Sequence, residues 1–361
     1  MRTGIANLPL HYGKAPSWLF QRMKALARQI TIAVVDEFGA EEMLRKLADP
    51  FWFQALGNLL GFDWHSSGLT TTACGALKEG IRGLEKDLGL FAAGGKGGTS
   101  RKTPKEIEGF GRFLSRDPQE LIYASRMAAK VDSTAIQDGY QIYHHCFFFT
   151  REGSWCVVQQ GMNEFSRYAR RYHWLGEGLN DFVCEPHSAI CCDQRGECLD
   201  MVARESGKAR EVTAELANEK PERLIKELER LKSLELPSRH HILVRDMNPE
   251  RLKGIFLRTY EAQPKGFESL LVIKGVGPKS IRALSLISEL IYGTSPSFQD
   301  PARFSFAHGG KDGHPYPVDR SNYNRSIAVL EKAISQARIG RREKLETLKR
   351  LSLLYSKAPR E

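Results

Sequence analysis

Residues 137–150 read QDGYQIYHHCFFFT and show the clearest strand pattern in the chain. The pair Asp138-Gly139 is typical of a two-residue hairpin turn, because glycine adopts the positive φ that such a turn needs. The residues that follow are rich in aromatic side chains, which fit the half-buried surface of a sheet. We therefore predict a strand over residues 140–150 that begins directly after a tight turn.

Two similar segments flank this strand. Residues 130–137 precede the first turn, and residues 154–162 follow a second turn at Glu152-Gly153. Both segments are rich in β-branched and aromatic residues and have the period of two that strands show. The three strands are therefore predicted to form an antiparallel meander.

The next segments extend the predicted sheet. Residues 163–175 are strongly basic and are predicted to form a helix, and the apolar residues 182–184 are predicted to form a strand. The resulting order, β-β-β-α-β, is the order in which a ribonuclease-H-like domain begins. We therefore predict an α+β protein whose middle domain is a ribonuclease-H-like mixed sheet.

Helices are predicted before this middle domain. Apolar residues recur at helical spacing within residues 17–29, 41–47 and 77–84. The glycine-rich, basic residues 94–104 are predicted to be a flexible linker, with phosphate contact by their amides and cations as the alternative. The N-terminal region is therefore expected to be mainly helical.

Helices are also predicted after the middle domain. Residues 222–231 and 249–260 show helical spacing, with Asn248 as the cap of the second helix, and residues 327–355 are predicted to form a basic helix or helix pair. The predicted domains are a helical region over 1–105, a β-rich domain over 106–212 and a helical region over 213–361.

Composition and charge limit the possible functions. The chain has 361 residues and a formal net charge of +10, and its hydrophobic fraction of 41% is that of a globular protein. No apolar run approaches a membrane span, no signal peptide opens the chain, and seven cysteines do not suggest a secreted disulfide framework. We therefore expect a cytoplasmic protein, with homo-oligomers left open, whose basic excess binds a polyanion such as nucleic acid.

The most specific motif lies at residues 270–284, which read LLVIKGVGPKSIRAL. It resembles the helix-hairpin-helix elements of DNA-binding proteins, expected here over residues 267–292. The two glycines are predicted to form a hairpin that only small residues can enter, and the hairpin amides and the positive end of the second helix would meet a DNA phosphate. The predicted DNA contacts of this motif are Gly275, Gly277, Lys279 and Arg282.

A second group of polar residues is predicted to gather on the sheet. If Asp138-Gly139 is a two-residue turn, Asp132 lies opposite His145 on the neighbouring strand. A two-residue turn at Glu152-Gly153 then places Gln160 on the other side of His145. These three side chains would share one row of the sheet.

Glu185 and His187 follow the short predicted strand at residues 182–184. In a ribonuclease-H-like sheet that strand pairs with the first one, which would bring Glu185 near Asp132. Two carboxylates that converge at strand ends hold Mg²⁺ or Mn²⁺, and the metal activates water for phosphodiester hydrolysis. We therefore predict that Asp132 and Glu185 are catalytic metal ligands and that His145 and His187 assist them.

Other polar clusters are weaker candidates. Arg170 and Arg171 in the predicted basic helix, and Lys311 and Arg320 in the loop at residues 308–320, are predicted to contact DNA phosphates. The two histidines and two aspartates of that loop also leave a metal or phosphate site open. A zinc site is a further alternative, formed by four of the residues Cys184, His187, Cys191, Cys192 and Cys198, although their spacing follows no familiar finger.

Several stretches together resemble the family catalogued as domain of unknown function 763. The matching residues are 8–16, 131–133, 137–141, 157–163, 169–174 and 185–187. The resemblance covers nearly the whole chain and implies a DNA-repair-type nuclease that acts on non-duplex or distorted DNA. It supplies no list of catalytic residues, so the site predicted above depends on the sheet geometry.

The sequence therefore predicts a divalent-metal-dependent, structure-specific DNA endonuclease that acts on bubbles, forks or flaps in DNA repair. One alternative is a helix-hairpin-helix DNA glycosylase with Asp300 as its catalytic acid, about twenty residues beyond the hairpin. The other alternative is a non-catalytic protein that senses DNA structure. Metal dependence distinguishes them, since EDTA stops the nuclease and spares a glycosylase, whereas a simple binding protein cleaves nothing.

Overall fold

The computed structural model describes residues 15–62, 66–192, 195–232, 248–302, 328–330, 332–335, 344, 347–349 and 351. The fold is α+β, as predicted, and none of the described helices is long and apolar enough to cross a membrane. The helices are α1 (Ser17–Phe38), α2 (Ala40–Ala48), α3 (Pro50–Leu59), α4 (Gly68–Ile81), α5 (Glu85–Leu88), α6 (Thr103–Gly109), α7 (Pro118–Lys130), α8 (Gly207–Leu216), α9 (Pro221–Lys232), α10 (Pro249–Ala262), α11 (Phe267–Leu271) and α12 (Pro278–Tyr292). The strands are β1 (Leu90–Lys96), β2 (Ile136–Gln137), β3 (Gln141–Thr150), β4 (Trp155–Asn163), β5 (Tyr168–Leu175), β6 (His187–Cys191) and β7 (Leu199–Asp200).

Five strands form one sheet in the order β1-β3-β4-β5-β6, and each neighbouring pair is antiparallel. The two short strands β2 and β7 pair only with each other. The predicted strands at residues 140–150 and 154–162 are confirmed as β3 and β4. The predicted mixed sheet is wrong, because the five paired strands are antiparallel throughout.

Helices cover both faces of the five-stranded sheet. Alternate residues of a strand point to opposite faces, and each face has its own apolar core. Phe148 and Val158 pack in the core shared with α1–α4, whereas Phe147 and Val157 pack in the core shared with α7, α8 and the C-terminal helices. The sheet is therefore the middle layer of three.

The predicted N-terminal helices are confirmed, since residues 17–29, 41–47 and most of 77–84 lie in α1, α2 and α4. The linker predicted over residues 94–104 is wrong. These residues form the end of β1, a 3₁₀ turn (Gly97–Lys102) and the start of α6. Gly94 has φ +86°, and a Cβ there would lie 2.3 Å from the carbonyl oxygen of His145, so glycine lets β1 approach β3 closely.

The strand predicted over residues 130–137 is wrong. Helix α7 begins at a cap in which Asp117 accepts a hydrogen bond of 2.9 Å from the backbone N–H of Gln119, and it continues to Lys130. A single π-helical turn (Val131–Ala135) follows, and only the two residues of β2 are extended. Val131 is buried as the next apolar residue of the helical face, so tertiary packing overrides the strand preference of its branched side chain.

The basic helix predicted over residues 163–175 is also wrong. Asn163 Oδ1 accepts hydrogen bonds from the N–H groups of Phe165 and Ser166, which closes a turn, and β5 follows that turn. Residues 182–184 form no strand, and the chain next pairs at β6. The predicted order β-β-β-α-β is therefore absent from these residues.

The C-terminal helices agree with prediction where the structure describes them. Residues 222–231 and 249–260 lie in α9 and α10, and Asn248 caps α10 through a 3.1 Å hydrogen bond from the N–H of Arg251. Most of the helix predicted over residues 327–355 lies outside the described residues. The predicted domain boundaries at 105/106 and 212/213 fall inside α6 and α8, and β1 belongs to the central sheet.

Candidate functional site

Asp132 is the centre of a buried polar cluster beneath α7. It lies in the π-helical turn and is 1% exposed. Its Oδ2 accepts a hydrogen bond of 2.9 Å from Trp174 Nε1 and a second one from Gln159 Nε2, and its Oδ1 lies 2.5 Å from His187 Nε2. A buried carboxylate is stable only with such donors, so three strands of the sheet satisfy this one side chain.

The cluster continues from Gln159 to His145 and Ser125. Because the Gln159 amide nitrogen donates to Asp132, its Oε1 is an acceptor and receives a 2.8 Å hydrogen bond from His145 Nδ1. His145 Nε2 then accepts from the Ser125 hydroxyl at 2.9 Å. Burial lowers the pKa of His145, so its ring is neutral and both of its nitrogens are satisfied.

The sheet register brings these residues together. His145 in β3 pairs with Gln159 in β4, and Trp174 in β5 pairs with His187 in β6. All four side chains lie on the face that is covered by α7, where the π-helical turn presents Asp132 to them. Single π-helical turns occur often at functional sites, and this one supplies the carboxyl group on which Gln159, Trp174 and His187 converge.

The predicted pairing of Asp132 with His145 across two strands is wrong. Asp132 is not on a strand, and β2 pairs with β7 rather than with β3. The turn between β3 and β4 is also longer than predicted, since the N–H of Thr150 bonds to the carbonyl oxygen of Ser154 and leaves three residues in the loop. That extra residue shifts the register by one, so His145 faces Gln159 instead of Gln160.

Glu185 lies apart from the cluster. Glu185 is exposed, has φ 45° and pairs with Arg204 at 3.3 Å. Both carboxylate oxygens of Asp132 are already bonded to side-chain nitrogen atoms of Trp174 and His187. Within the described residues, no group of three or more His, Cys, Asp or Glu side chains is placed to hold a metal ion. The residues present therefore do not fit the predicted Mg²⁺ or Mn²⁺ site at Asp132 and Glu185, nor do they form the alternative zinc site around Cys184 and His187.

Arg170 and Arg171 do not form a basic surface, contrary to prediction. Both are 0% exposed on opposite faces of β5. Arg170 pairs with Asp138 at 2.9 Å and with Asp300 at 2.7 Å, and Arg171 donates to Thr70 Oγ1 and Gln54 Oε1. These arginines connect layers of the fold and do not reach DNA.

Asp300 is held in place by the same ion pair. Besides Arg170, it accepts backbone hydrogen bonds from Gly196 at 3.0 Å and Ala302 at 2.9 Å. These contacts account for the carboxylate as part of the fold. The Lys311 and Arg320 loop begins beyond it and lies outside the described residues.

The hairpin between α11 and α12 is exposed at Lys274, Gly275, Pro278 and Lys279. Gly275 has φ +95°, and a Cβ there would lie 2.5 Å from Arg258 Nη2. Gly277 has φ −156°, an extended conformation open to any residue, and the nearest atom to its Cβ position is 4.0 Å away. Only the first glycine is therefore required by the hairpin, which corrects the expectation that both positions exclude larger residues.

Three contacts attach this hairpin to the segment that carries Asp132. Lys130 Nζ donates to the carbonyl oxygen of Val276, and burial lowers the pKa of Lys130. Gln137 Nε2 donates to the carbonyl oxygen of Pro278 at 2.9 Å, and Gln137 Oε1 accepts from Arg282 Nε. Burial lowers the pKa of Arg282 to about 10 and the bond to Gln137 holds it, so this arginine positions the hairpin instead of extending into solvent.

The sequence did not indicate the roles of Ser125, Gln159 and Trp174. Gln159 carries the one visible signal, because a glutamine pair interrupts an otherwise apolar strand at residues 157–160. Of the predicted catalytic residues, the structure brings Asp132 and His187 into contact, joins His145 to them through Gln159, and places Glu185 elsewhere.

Residues 4–318 match the family described as protein of unknown function (DUF763), which covers most of the chain. The chain belongs to this family. No curated protein and no solved structure matches it.

Proposed function

We propose that this protein binds DNA through the hairpin at residues 274–279 and cleaves non-duplex DNA beside the Asp132 cluster, as a structure-specific endonuclease. The observation that carries the proposal is the attachment of the exposed hairpin to both ends of the Asp132 segment, through Lys130 and Gln137. A protein that held DNA at the hairpin would thereby hold it at a fixed position relative to Asp132.

The hairpin has the features of a backbone contact. Its exposed lysines, Lys274 and Lys279, flank the start of the fifteen-residue helix α12, whose N-terminal end is electropositive. The helix-hairpin-helix resemblance of the sequence and the net charge of +10 support the same partner. Contacts of this kind bind phosphates without reading base sequence, so affinity should follow DNA structure and salt concentration.

The Asp132 and His187 pair supports a hydrolytic step. With His187 Nε2 donating to the carboxylate, Nδ1 is the nitrogen that accepts a proton, and a histidine held in this way can act as a general base toward water. The carboxylate also stabilises the charged ring after proton transfer. The dependence on a divalent metal stays a prediction, although Asp132 and Glu185 do not form the metal site that the sequence predicts.

Cleavage of end-labelled DNA tests the proposal. Duplex, single-stranded, fork, flap and bubble substrates are incubated with Mg²⁺, Mn²⁺ or EDTA, and the products are resolved by size. We expect cutting at the junction of the branched substrates, and loss of cutting with retained binding for His187→Gln. Asp87→Asn, which changes an exposed carboxylate outside the cluster, is the control.

Each alternative function gives a different product. Abasic sites without strand cleavage would favour a glycosylase, and binding with no product under any condition would favour a non-catalytic DNA-binding protein. Absence of DNA binding itself would refute the proposal as a whole.

A further inference from the structure

An aromatic pocket of about 480 Å³ opens between the start of α7 and the segment that follows β5. Tyr123, Trp155 and Phe182 line it. The rings of Trp155 and Phe182 are parallel within 2° at a centroid distance of 6.1 Å, and Tyr123 meets Phe182 edge to face at 5.9 Å. Three aromatic side chains therefore line a partly open space.

The pocket lies between the two parts of the proposed function. The ring centroids of Phe182 and Trp174 are 6.4 Å apart, and those of Trp174 and His187 are 4.4 Å apart. The indole N–H of Trp174 donates to Asp132. On the other side, the Tyr123 hydroxyl donates a 2.5 Å hydrogen bond to Glu268 in α11, the helix before the hairpin. A ligand in the pocket would touch side chains that contact both regions.

The remaining lining residues determine which part of DNA fits. Asp117, Gln119 and Glu120 are exposed and supply hydrogen-bond acceptors. Asp117 caps α7 and Glu120 lies 3.8 Å from Arg116, and the described lining contains no cationic side chain to bind phosphate, so the sugar-phosphate backbone is disfavoured. A flat heteroaromatic ring that stacks on aromatic side chains and donates from an amino group matches both the apolar and the acidic parts.

We infer that this pocket binds one unpaired nucleobase of the DNA substrate, an inference that rests on the proposed function. Guanine, adenine and cytosine carry exocyclic amino groups, whereas thymine has none, so thymine should bind least well. The pocket would select DNA in which a base has already left the helix, because unstacking a paired base costs free energy.

Binding to a single-base bulge tests the inference. Duplexes with and without one bulged guanine are titrated against the protein, and the ratio of their Kd values is compared among variants. Removal of a stacking partner in Phe182→Ala should reduce the wild-type preference for the bulge by about 5- to 100-fold and leave duplex affinity unchanged. Phe165→Ala is the matched control, since Phe165 is 101% exposed at the opposite end of the β4–β5 hairpin.

A second variant covers the case in which Phe182→Ala fails to fold. Glu120 is exposed, so Glu120→Gln keeps the fold and removes one carboxylate acceptor. It should lower the affinity for a guanine bulge and leave that for a thymine bulge unchanged. The inference would be overturned if Glu120→Gln weakened binding to the guanine and thymine bulges equally. It would also be overturned if a folded Phe182→Ala kept the wild-type preference for bulged over unbulged duplex.

Free guanosine separates this inference from the proposed function. Guanosine carries no phosphate, and it should quench tryptophan fluorescence in the wild type and less so in Trp155→Phe. Quenching in a protein that fails to bind any DNA would support the pocket and refute the proposed function. DNA binding without guanosine quenching would refute the pocket and leave the hairpin proposal standing.

Discussion

Gln137 donates a hydrogen bond of 2.9 Å from its Nε2 to the carbonyl oxygen of Pro278. Gln137 ends β2, five residues after Asp132, and Pro278 is the first residue of α12. This bond joins the strand that leaves the π-helical turn to the helix that follows the exposed hairpin. The polar cluster and the proposed DNA contact are therefore fixed to one another by a side chain distant in sequence from the hairpin.

The first prediction concerns this attachment. Gln137→Ala removes the bonds to Pro278 and Arg282 and also the 3.0 Å bond to the carbonyl oxygen of Thr134, so the hairpin should become less ordered and DNA binding should weaken several-fold. The loss of stability should stay near 0.5–1.5 kcal/mol per bond. Affinity is measured by fluorescence anisotropy, with the exposed strand variant Gln141→Ala as the control. Equal affinities of the two variants would show that the attachment is unimportant for binding.

The second prediction concerns the cluster itself. Asp132→Ala leaves the donors of Trp174, Gln159 and His187 without their acceptor, and each unsatisfied buried group costs about 1–3 kcal/mol. We expect the free energy of unfolding to fall by about 3–5 kcal/mol in a urea titration, and by less for Asp132→Asn. The exposed Asp87→Ala should change it by under about 0.5 kcal/mol. A neutral effect of Asp132→Ala would contradict the hydrogen bonds described.

The third prediction concerns pH. His144 is buried, and neither ring nitrogen has a hydrogen-bond partner among the described residues. Burial, together with His145, Lys96 and Arg171 nearby, lowers the pKa of His144 from 6.5 to about 3. Between pH 6.5 and about 3 the unfolded chain therefore binds more protons at this position than the folded chain does. The free energy of unfolding keeps its full value, as far as His144 is concerned, above about pH 6.5 and decreases as the pH falls toward 3.

The test is a leucine at that position. His144→Leu removes a group that must stay neutral, so the free energy of unfolding should fall less steeply between pH 6.5 and 4.5 than in the wild type. At pH 7 the variant should be at least as stable, because two unpaired buried nitrogens disappear. An unchanged slope in urea titrations across this range would contradict the assignment.

The elements with regular periodicity were predictable from the sequence, and the sites held by distant contacts were not. Helices α1, α9 and α10 follow their apolar spacing, α10 also follows its Asn248 cap, and β3 and β4 follow their aromatic runs. The predicted exposure of Arg170 and Arg171 is wrong, because arginine normally lies at the surface, whereas here Asp138 and Asp300 come from separate loops to pair with Arg170.

The same limit applies to the candidate site. Asp132 and His187 are 55 residues apart, and their contact depends on a π-helical turn. The contact between His145 and Gln159 depends on a three-residue loop, and no local pattern indicates either feature. The sequence therefore draws attention to Asp132, His145 and His187 but not to the arrangement that joins them. A single added loop residue moved the partner of His145 from Gln160 to Gln159.

The fourth prediction uses the two glycines of the hairpin as a matched pair. Gly275→Ala should weaken DNA binding strongly, since φ +95° is strained for any side chain and its Cβ would meet the Arg258 guanidinium. Gly277→Ala should bind almost as the wild type does, because its backbone is extended and its Cβ position is open. The reverse order of affinities would show that the hairpin has another conformation.

The salt dependence of DNA binding tests the central claim most directly. The Kd for a fixed duplex is measured by anisotropy from about 50 to 200 mM salt for the wild type and Lys279→Ala. If residues 274–279 bind the phosphate backbone, the variant should bind this duplex more weakly, and its slope of log K against log salt should be shallower by about 1. An unchanged slope and affinity in Lys279→Ala would contradict backbone binding at this hairpin.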